Sequence, residues 1–218
     1  MALTRPLIAL GALALAFAFY SQAVALGLMT APDRAISQLV AHAWSENLRG
    51  PALAVAELGG VELTVLIAIG LAVYLFQHGF RSEAWALLAL PLVEVVEVTY
   101  KLALHHPQPI EFAHGDGPSL TMLVERGPTV FHNSYPSGHT IRAVLVYGLL
   151  AFVIHRLAPR GLARKMAIPA AAVIISLVAL DRLYLGVHWM SDVIGGLLLG
   201  GLAVAAAIVW LDRPRPVA

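Results

Sequence analysis

Six apolar stretches, each close to the length of a bilayer crossing, constrain this chain more than anything else in its sequence. They run over residues 7–29, 52–76, 84–104, 138–157, 167–185 and 189–211. A helix needs roughly 20 apolar residues to cross the hydrocarbon core, more than most buried helices of soluble domains contain. A soluble core is excluded on composition too. The chain is 59% hydrophobic and only 12% charged, with a mean hydropathy of +0.79, whereas soluble domains carry about a quarter charged residues. The expected fold is therefore an all-α integral membrane protein, a six-transmembrane-helix bundle forming one domain over residues 1–218, with its motif-bearing core at 84–211. Between the first two crossings, residues 33–48 carry Ile36, Leu39, Val40 and Trp44 at helical spacing. That pattern predicts a short interfacial helix after the first span. Pro91 falls inside the third stretch, where it would kink a helix, and Pro169 near the start of the fifth, where a missing N–H matters little.

Positive charge sets the orientation. Arg5, Arg81, Arg156, Arg160, Arg164, Lys165, Arg213 and Arg215 fall on one side of a six-span zigzag, eight of the fourteen Lys and Arg residues. Both termini are thus expected in the cytoplasm. Arg34, Arg49 and Arg126 remain as ordinary charges on the outer side. A rival reading of the first stretch is a signal peptide, with Arg5 before the apolar run and Ala23, Val24 and Ala25 as a small-residue cleavage site. Its apolar run is long for that role, and cleavage would leave the later spans oriented as before. A formal net charge of +1 gives no basic patch for nucleic acid, and the absence of cysteine excludes thiolate chemistry.

The zigzag gathers the densest polar residues on its outer side. They are Lys101 to Pro109, Tyr135 to Thr140, and Asp181 to Asp192. Ionisable groups at the edge of hydrocarbon are expensive and mark function. Two cations (Lys101 and Arg182), two imidazoles (His139 and His188) and the Asp192 carboxylate suit a phosphate group. His188 and Asp192 stand four apart, so one helical face can bring carboxylate to imidazole, fixing the tautomer and leaving the other ring nitrogen free to attack. His139 can donate a proton to a leaving oxygen. Ser137 and Gly138 open a helix, where free N–H groups attract anions. Taken singly, His-x3-Asp is usually a surface pair, Pro-Ser-Gly-His a turn, and a terminal Lys a snorkelling side chain. All three together on one face point to a phosphate site.

These motifs resemble those of the type-2 phosphatidic acid phosphatase superfamily, the lipid phosphate phosphatases, and above all its short bacterial six-span members. The family's first motif is Lys, six residues, Arg-Pro; Lys101 and Pro109 match, with Gln108 in the Arg position. The second is intact as Pro136, Ser137, Gly138 and His139. In the third, Arg182, His188 and Asp192 match, and Asp181 occupies a Ser position. The resemblance implies a membrane lipid phosphatase that works at the outer face of the cell membrane. His188 would be the nucleophile that becomes phosphohistidine, Asp192 its orienter and His139 the acid and base. Lys101, Ser137, Gly138 and Arg182 would hold the phosphoryl oxygens, without metal or other cofactor. Its implied partners are the bilayer and a lipid phosphate, with undecaprenyl diphosphate first and phosphatidylglycerol phosphate, phosphatidic acid or lipid A phosphate as alternatives.

Losing a charged hydrogen bond at Gln108 would weaken phosphate binding by roughly 1.5–3 kcal/mol. Arg142, three residues beyond His139, is the candidate to supply the missing charge, against a structural pairing with Glu94 or Glu97. Glu97 and Lys101, four apart, are expected to pair. Two other functions compete. His105, His106, His114, Asp116 and His132 would serve a metal-dependent or transport protein, though their spacing matches no zinc pattern. Gln108 would also suit a non-catalytic lipid-phosphate binder.

Overall fold

The computed structural model describes residues 4–115 and 132–211. Asp116, Arg126, Arg213 and Arg215 lie outside the described residues. Within them every regular element is helical. The α-helices are α1 (Thr4–Ala25), α2 (Thr30–His42), α3 (Arg49–Gly59), α4 (Val61–Gln77), α5 (Arg81–Trp85), α6 (Ala89–Ala103), α7 (Gly138–Leu157), α8 (Leu162–Tyr184) and α9 (Met190–Leu211).

Helix α7 is the axis of the bundle. It packs along α8 and α9, while α1 lies on α9 and α3 on α8. Its residues Ile141, Ala143, Leu145, Val146 and Leu149 are buried, whereas Leu66 and Ile69 of α4 and Leu92, Val95 and Leu102 of α6 are exposed. Apolar side chains inside and outside are what a bundle dissolved in lipid requires. Small residues bring α9 onto α7: a Cβ at Gly196 would stand 2.8 Å from both the Ser137 carbonyl oxygen and Thr140 Cβ. Helix α1 belongs to this packing through buried Phe17, Ser21 and Val24.

Four helical segments are long and apolar enough to cross a membrane: Leu7–Ala25, Gly138–Leu157, Leu162–Tyr184 and Met190–Leu211. The expected second crossing exists as a broken pair, Glu46–Gly59 and Val61–Gln77, bent by 41°. The break falls at Gly60, which is extended (φ −63°, ψ 154°). A Cβ on the adjacent Gly59 would sit 2.9 Å from the His139 carbonyl oxygen. The carbonyls freed at the break find donors on α7: Tyr147 Oη donates to Leu58 O (2.8 Å) and Arg142 Nε to Gly59 O (3.0 Å).

The expected third crossing, 84–104, is divided between α5, a 3-10 turn at Ala86–Leu88 and α6. It does not qualify by length and hydropathy, because α6 spans 15 residues and carries Glu94, Glu97 and Lys101. Among the described residues four helices, or five with the bent pair counted as one, are thus long and apolar enough to cross, as in a multi-pass helical membrane protein. Pro91 sits in the first turn of α6 just after the 3-10 turn, and so begins a helix instead of kinking one. Helix α8 starts at Leu162, not near 167, which puts Pro169 in its interior. The short interfacial helix is present as α2, but it ends at His42; Trp44 lies beyond it, stacked on His114 at 3.6 Å.

Candidate active site

Three local structures supply the polar side chains. The first is the start of α7. Ser137 is extended ahead of the helix, and its backbone N–H donates to Asp192 O at 3.0 Å, tying the mouth of α7 to that of α9. At Gly138 a Cβ would collide with the Glu97 carboxylate, so only glycine lets α6 approach this closely. Thr140 Oγ1 donates to Ser137 Oγ at 3.2 Å. His139 follows, with Nδ1 lying 3.4 Å from Arg142 Nη2. A guanidinium only donates, so Nδ1 accepts and the ring proton is left on Nε2.

The second is the end of α6. Lys101 Nζ meets Glu97 Oε1 at 2.6 Å, the pair expected from their spacing. Arg142 Nη1 reaches Glu94 Oε2 at 3.4 Å and Glu97 Oε2 at 3.7 Å. Arg142 is thus held by Glu94, Glu97 and Gly59 O while still touching the His139 ring. Two acids and two bases balance one another in a cluster with Glu97 and Arg142 buried and Glu94 and Lys101 half-buried. Removing one member would leave a buried charge uncompensated.

The third is the turn between α8 and α9. Arg182 is fully buried, with Nη2 bonded to Asp181 Oδ2 at 2.5 Å, so the residue in the family's Ser position is the arginine's carboxylate partner. His188 Nδ1 lies 3.2 Å from Asp192 Oδ2, and the Trp189 backbone N–H donates to the same oxygen at 2.8 Å. Asp192 is wholly buried and His188 nearly so. The His188 proton is therefore drawn to Nδ1, leaving Nε2 with its lone pair.

These structures meet. The charges of Arg182, Arg142, His188 and Lys101 all act on the His139 ring, and those of Lys101, Arg142 and His188 on Glu97. Lys101, Ser137, Gly138, His139, Arg142, Arg182, His188 and Asp192 thus surround one place. Gln108 shares a cavity with Asp33 and His106. It is exposed, and the cavity, about 370 Å³ at the surface, is also lined by Thr30, Arg34, Glu111 and Trp189.

The structure adds residues that the sequence did not single out for this site. Asp33 of α2 is buried and clasps Ser191: its Oδ1 accepts from Ser191 N (2.8 Å) and its Oδ2 from Ser191 Oγ (2.7 Å). Burial pushes the Asp33 carboxyl above the ordinary carboxylate range, against the pull of those two hydrogen bonds. His106 Nε2 stands 3.1 Å from Ser191 Oγ and 3.3 Å from Asp192 Oδ1. Tyr135 bonds Ser21 of α1 at 2.8 Å, and burial raises its phenol above the ordinary value, so it stays a hydroxyl. A lone aspartate near a helix start gives no sequence signal of a partner so far along the chain. The outer-loop histidines do not assemble: among the described residues no group of three His, Cys, Asp or Glu side chains could hold a metal ion.

Comparison with known proteins gives a consistent result. The family model described as the PAP2 superfamily matches residues 82–216. A segment of 68 residues is 44% identical to phosphatidylglycerophosphatase B of Bacillus subtilis (strain 168), covering 31% of this chain and 34% of that protein. Another, of 79 residues, is 34% identical to YbjG of Escherichia coli (strain K12), described provisionally as an undecaprenyl-diphosphatase, covering 36% and 35%. Each match spans about a third of the relative's length. Among solved structures, the transmembrane PAP2-type phosphatidylglycerolphosphate phosphatase of Bacillus subtilis superposes with a TM-score of 0.73 at 26% identity, over 91% of this chain and 94% of that one.

Proposed function

This chain belongs to the PAP2 superfamily, and from that premise we propose that it hydrolyses a phosphate or diphosphate ester of a membrane lipid through a phosphohistidine at His188. The observation that carries this reading is the His188–Asp192 pair, 3.2 Å apart and buried, beside a His139 ring on which the charges of Arg182, His188 and Lys101 act together. Asp192 holds the Nδ1 proton, so Nε2 attacks phosphorus while the bond from phosphorus to the lipid oxygen breaks. Once the substrate's negative charge has added a proton at Nδ1 in place of the Arg142 contact, His139 gives its Nε2 proton to that oxygen. Water then attacks the phosphohistidine, His139 takes the water proton, the N–P bond breaks and phosphate leaves. Lys101, Arg182, the Ser137 hydroxyl and the Gly138 N–H hold the phosphoryl oxygens as charge shifts among them. No step in this scheme calls for a metal.

Two substrates are favoured by different observations. Phosphatidylglycerol phosphate is supported by the whole-chain likeness to a phosphatase of that lipid and by the 44% identical segment. Undecaprenyl diphosphate is supported by the second relative. Phosphatidic acid and lipid A phosphates fit the same phosphate chemistry. Phosphate release from these lipids in detergent, wild type beside His188→Ala, tests the reading; turnover that survives the substitution would sink it.

The membrane layout that goes with this function has six crossings. The bent α3–α4 pair is the second, and α5 with α6 the third, its Glu94, Glu97 and Lys101 turned inward to Arg142 and the phosphate site. Both termini then lie in the cytoplasm and the site faces outward from a bacterial cell membrane. Because the chain has no cysteine, single cysteines at Gly79 and Ile110 test this directly. A membrane-impermeant maleimide should label Ile110→Cys in intact cells and spare Gly79→Cys.

A further inference from the structure

Asp192 has two carboxylate oxygens, and only one of them is explained by the nucleophile. Oδ2 receives His188 Nδ1–H and Trp189 N–H. Oδ1 is buried without a hydrogen bond of good geometry, and the polar atom facing it is His106 Nε2 at 3.3 Å. That nitrogen carries a proton. Ser191 Oγ has one hydrogen and gives it to Asp33 Oδ2 at 2.7 Å, so toward His106 it can only accept. His106 Nε2–H is therefore given to Ser191 Oγ at 3.1 Å and faces Asp192 Oδ1 at 3.3 Å.

We propose that His106, held by the Asp33–Ser191 clasp, is the positioning residue for Asp192, extending the orienting chain of His188 to helix α2. The inference rests on the phosphohistidine reading above. Three distant segments supply its members: α2, the loop after α6, and the start of α9. The loop carrying His106 is itself fixed. Its backbone N–H donates to Asn133 Oδ1 (3.0 Å), its carbonyl accepts from Ser134 N (2.9 Å), and Trp189 Nε1 donates to Pro107 O (2.7 Å). A flexible surface histidine would not be fastened on both sides. A donor on Oδ1 stops the carboxylate from rotating away from the imidazole as His188 changes from neutral ring to phosphorylated cation. His106 meets no substrate in this scheme and acts through Asp192 alone.

The test compares His106→Phe with His106→Gln, whose amide can still donate toward Oδ1. Each is assayed for kcat, KM and the pre-steady-state burst of phosphoenzyme, with detergent melting as a check on folding. The Phe variant should lose kcat by about 10- to 100-fold, the range for a hydrogen bond to a charged group. Its burst should slow in parallel, its KM should stay within about twofold, and Gln should recover most of the loss. Unchanged kcat in His106→Phe would overturn the proposal. So would a rise in KM alone, or a folded His106→Gln as poor as Phe. Should Phe fail to fold, Asp33→Asn carries the test, with a several-fold fall in kcat expected and no change overturning the idea. The His188→Ala control separates the two levels. If it abolishes turnover while the His106 variants are normal, only this inference fails; if it leaves turnover intact, the phosphohistidine reading fails and takes the inference with it.

Discussion

Two polar clusters flank His139 and His188, and they are built on opposite principles. On one side Glu94, Glu97, Lys101 and Arg142 form a balanced set of two acids and two bases, with contacts from 2.6 to 3.7 Å. On the other, Asp33 and Asp192 converge on Ser191 and His106. The first cluster sets how much positive charge surrounds His139, since Glu97 pairs with Lys101 and Arg142 together. The second sets direction, because Trp189 N–H, Ser191 and His106 face the two carboxylates from fixed positions. Charge magnitude and charge orientation are thus separated in space.

The largest test of that division is Asp192→Asn. Losing the orienting carboxylate of a histidine should reduce kcat by about 10³- to 10⁴-fold, the scale known for such dyads, with KM little changed in steady-state assays. A loss no greater than that of Glu97→Gln would break the comparison. Glu97→Gln itself should cost about 10- to 100-fold in kcat/KM, because the Lys101 ammonium loses a partner 2.6 Å away and with it a fixed position. Arg142→Ala should act mainly on stability, lowering it by about 1–3 kcal/mol because Glu94 and the Gly59 carbonyl lose their donor while Glu97 keeps Lys101, with turnover falling as well if its charge serves the phosphate. Full turnover in a folded Arg142→Ala protein would end the idea that it replaces the charge missing at Gln108. The smallest effect belongs outside both clusters: Tyr135→Phe should cost about 1 kcal/mol through the Ser21 bond, read as a lower melting temperature with kcat within about twofold.

The same contrast explains what could be read from the sequence. Glu97–Lys101 and His188–Asp192 are four residues apart, so helix periodicity alone brings each pair together. Helix α7 runs from Gly138 to Leu157, as the apolar stretch predicts, because a polar motif and a Pro-Ser-Gly entry bound it on one side. The carboxylate cluster was illegible, because Asp33 and Ser191 are 158 positions apart and neither sits in a spacing that local rules recognise. The third apolar stretch carries Glu94, Glu97 and Lys101, and in the folded chain these pair with one another and with Arg142 across to α7. The bend at Gly60 was illegible as well. An apolar run carries no mark of where its backbone breaks unless glycine's small size is known to be needed by a neighbour.

That bend decides more than the path of one helix. Backbone carbonyls left open within a bundle must be met by something, and here α7 meets them with Arg142 and Tyr147. A continuous, straightened helix in place of α3 and α4 would withdraw both docking points and free α7 to rotate about its own axis. The aim of the His139 ring is therefore governed by an interruption in a different helix, much as a keyway fixes the angle of a shaft.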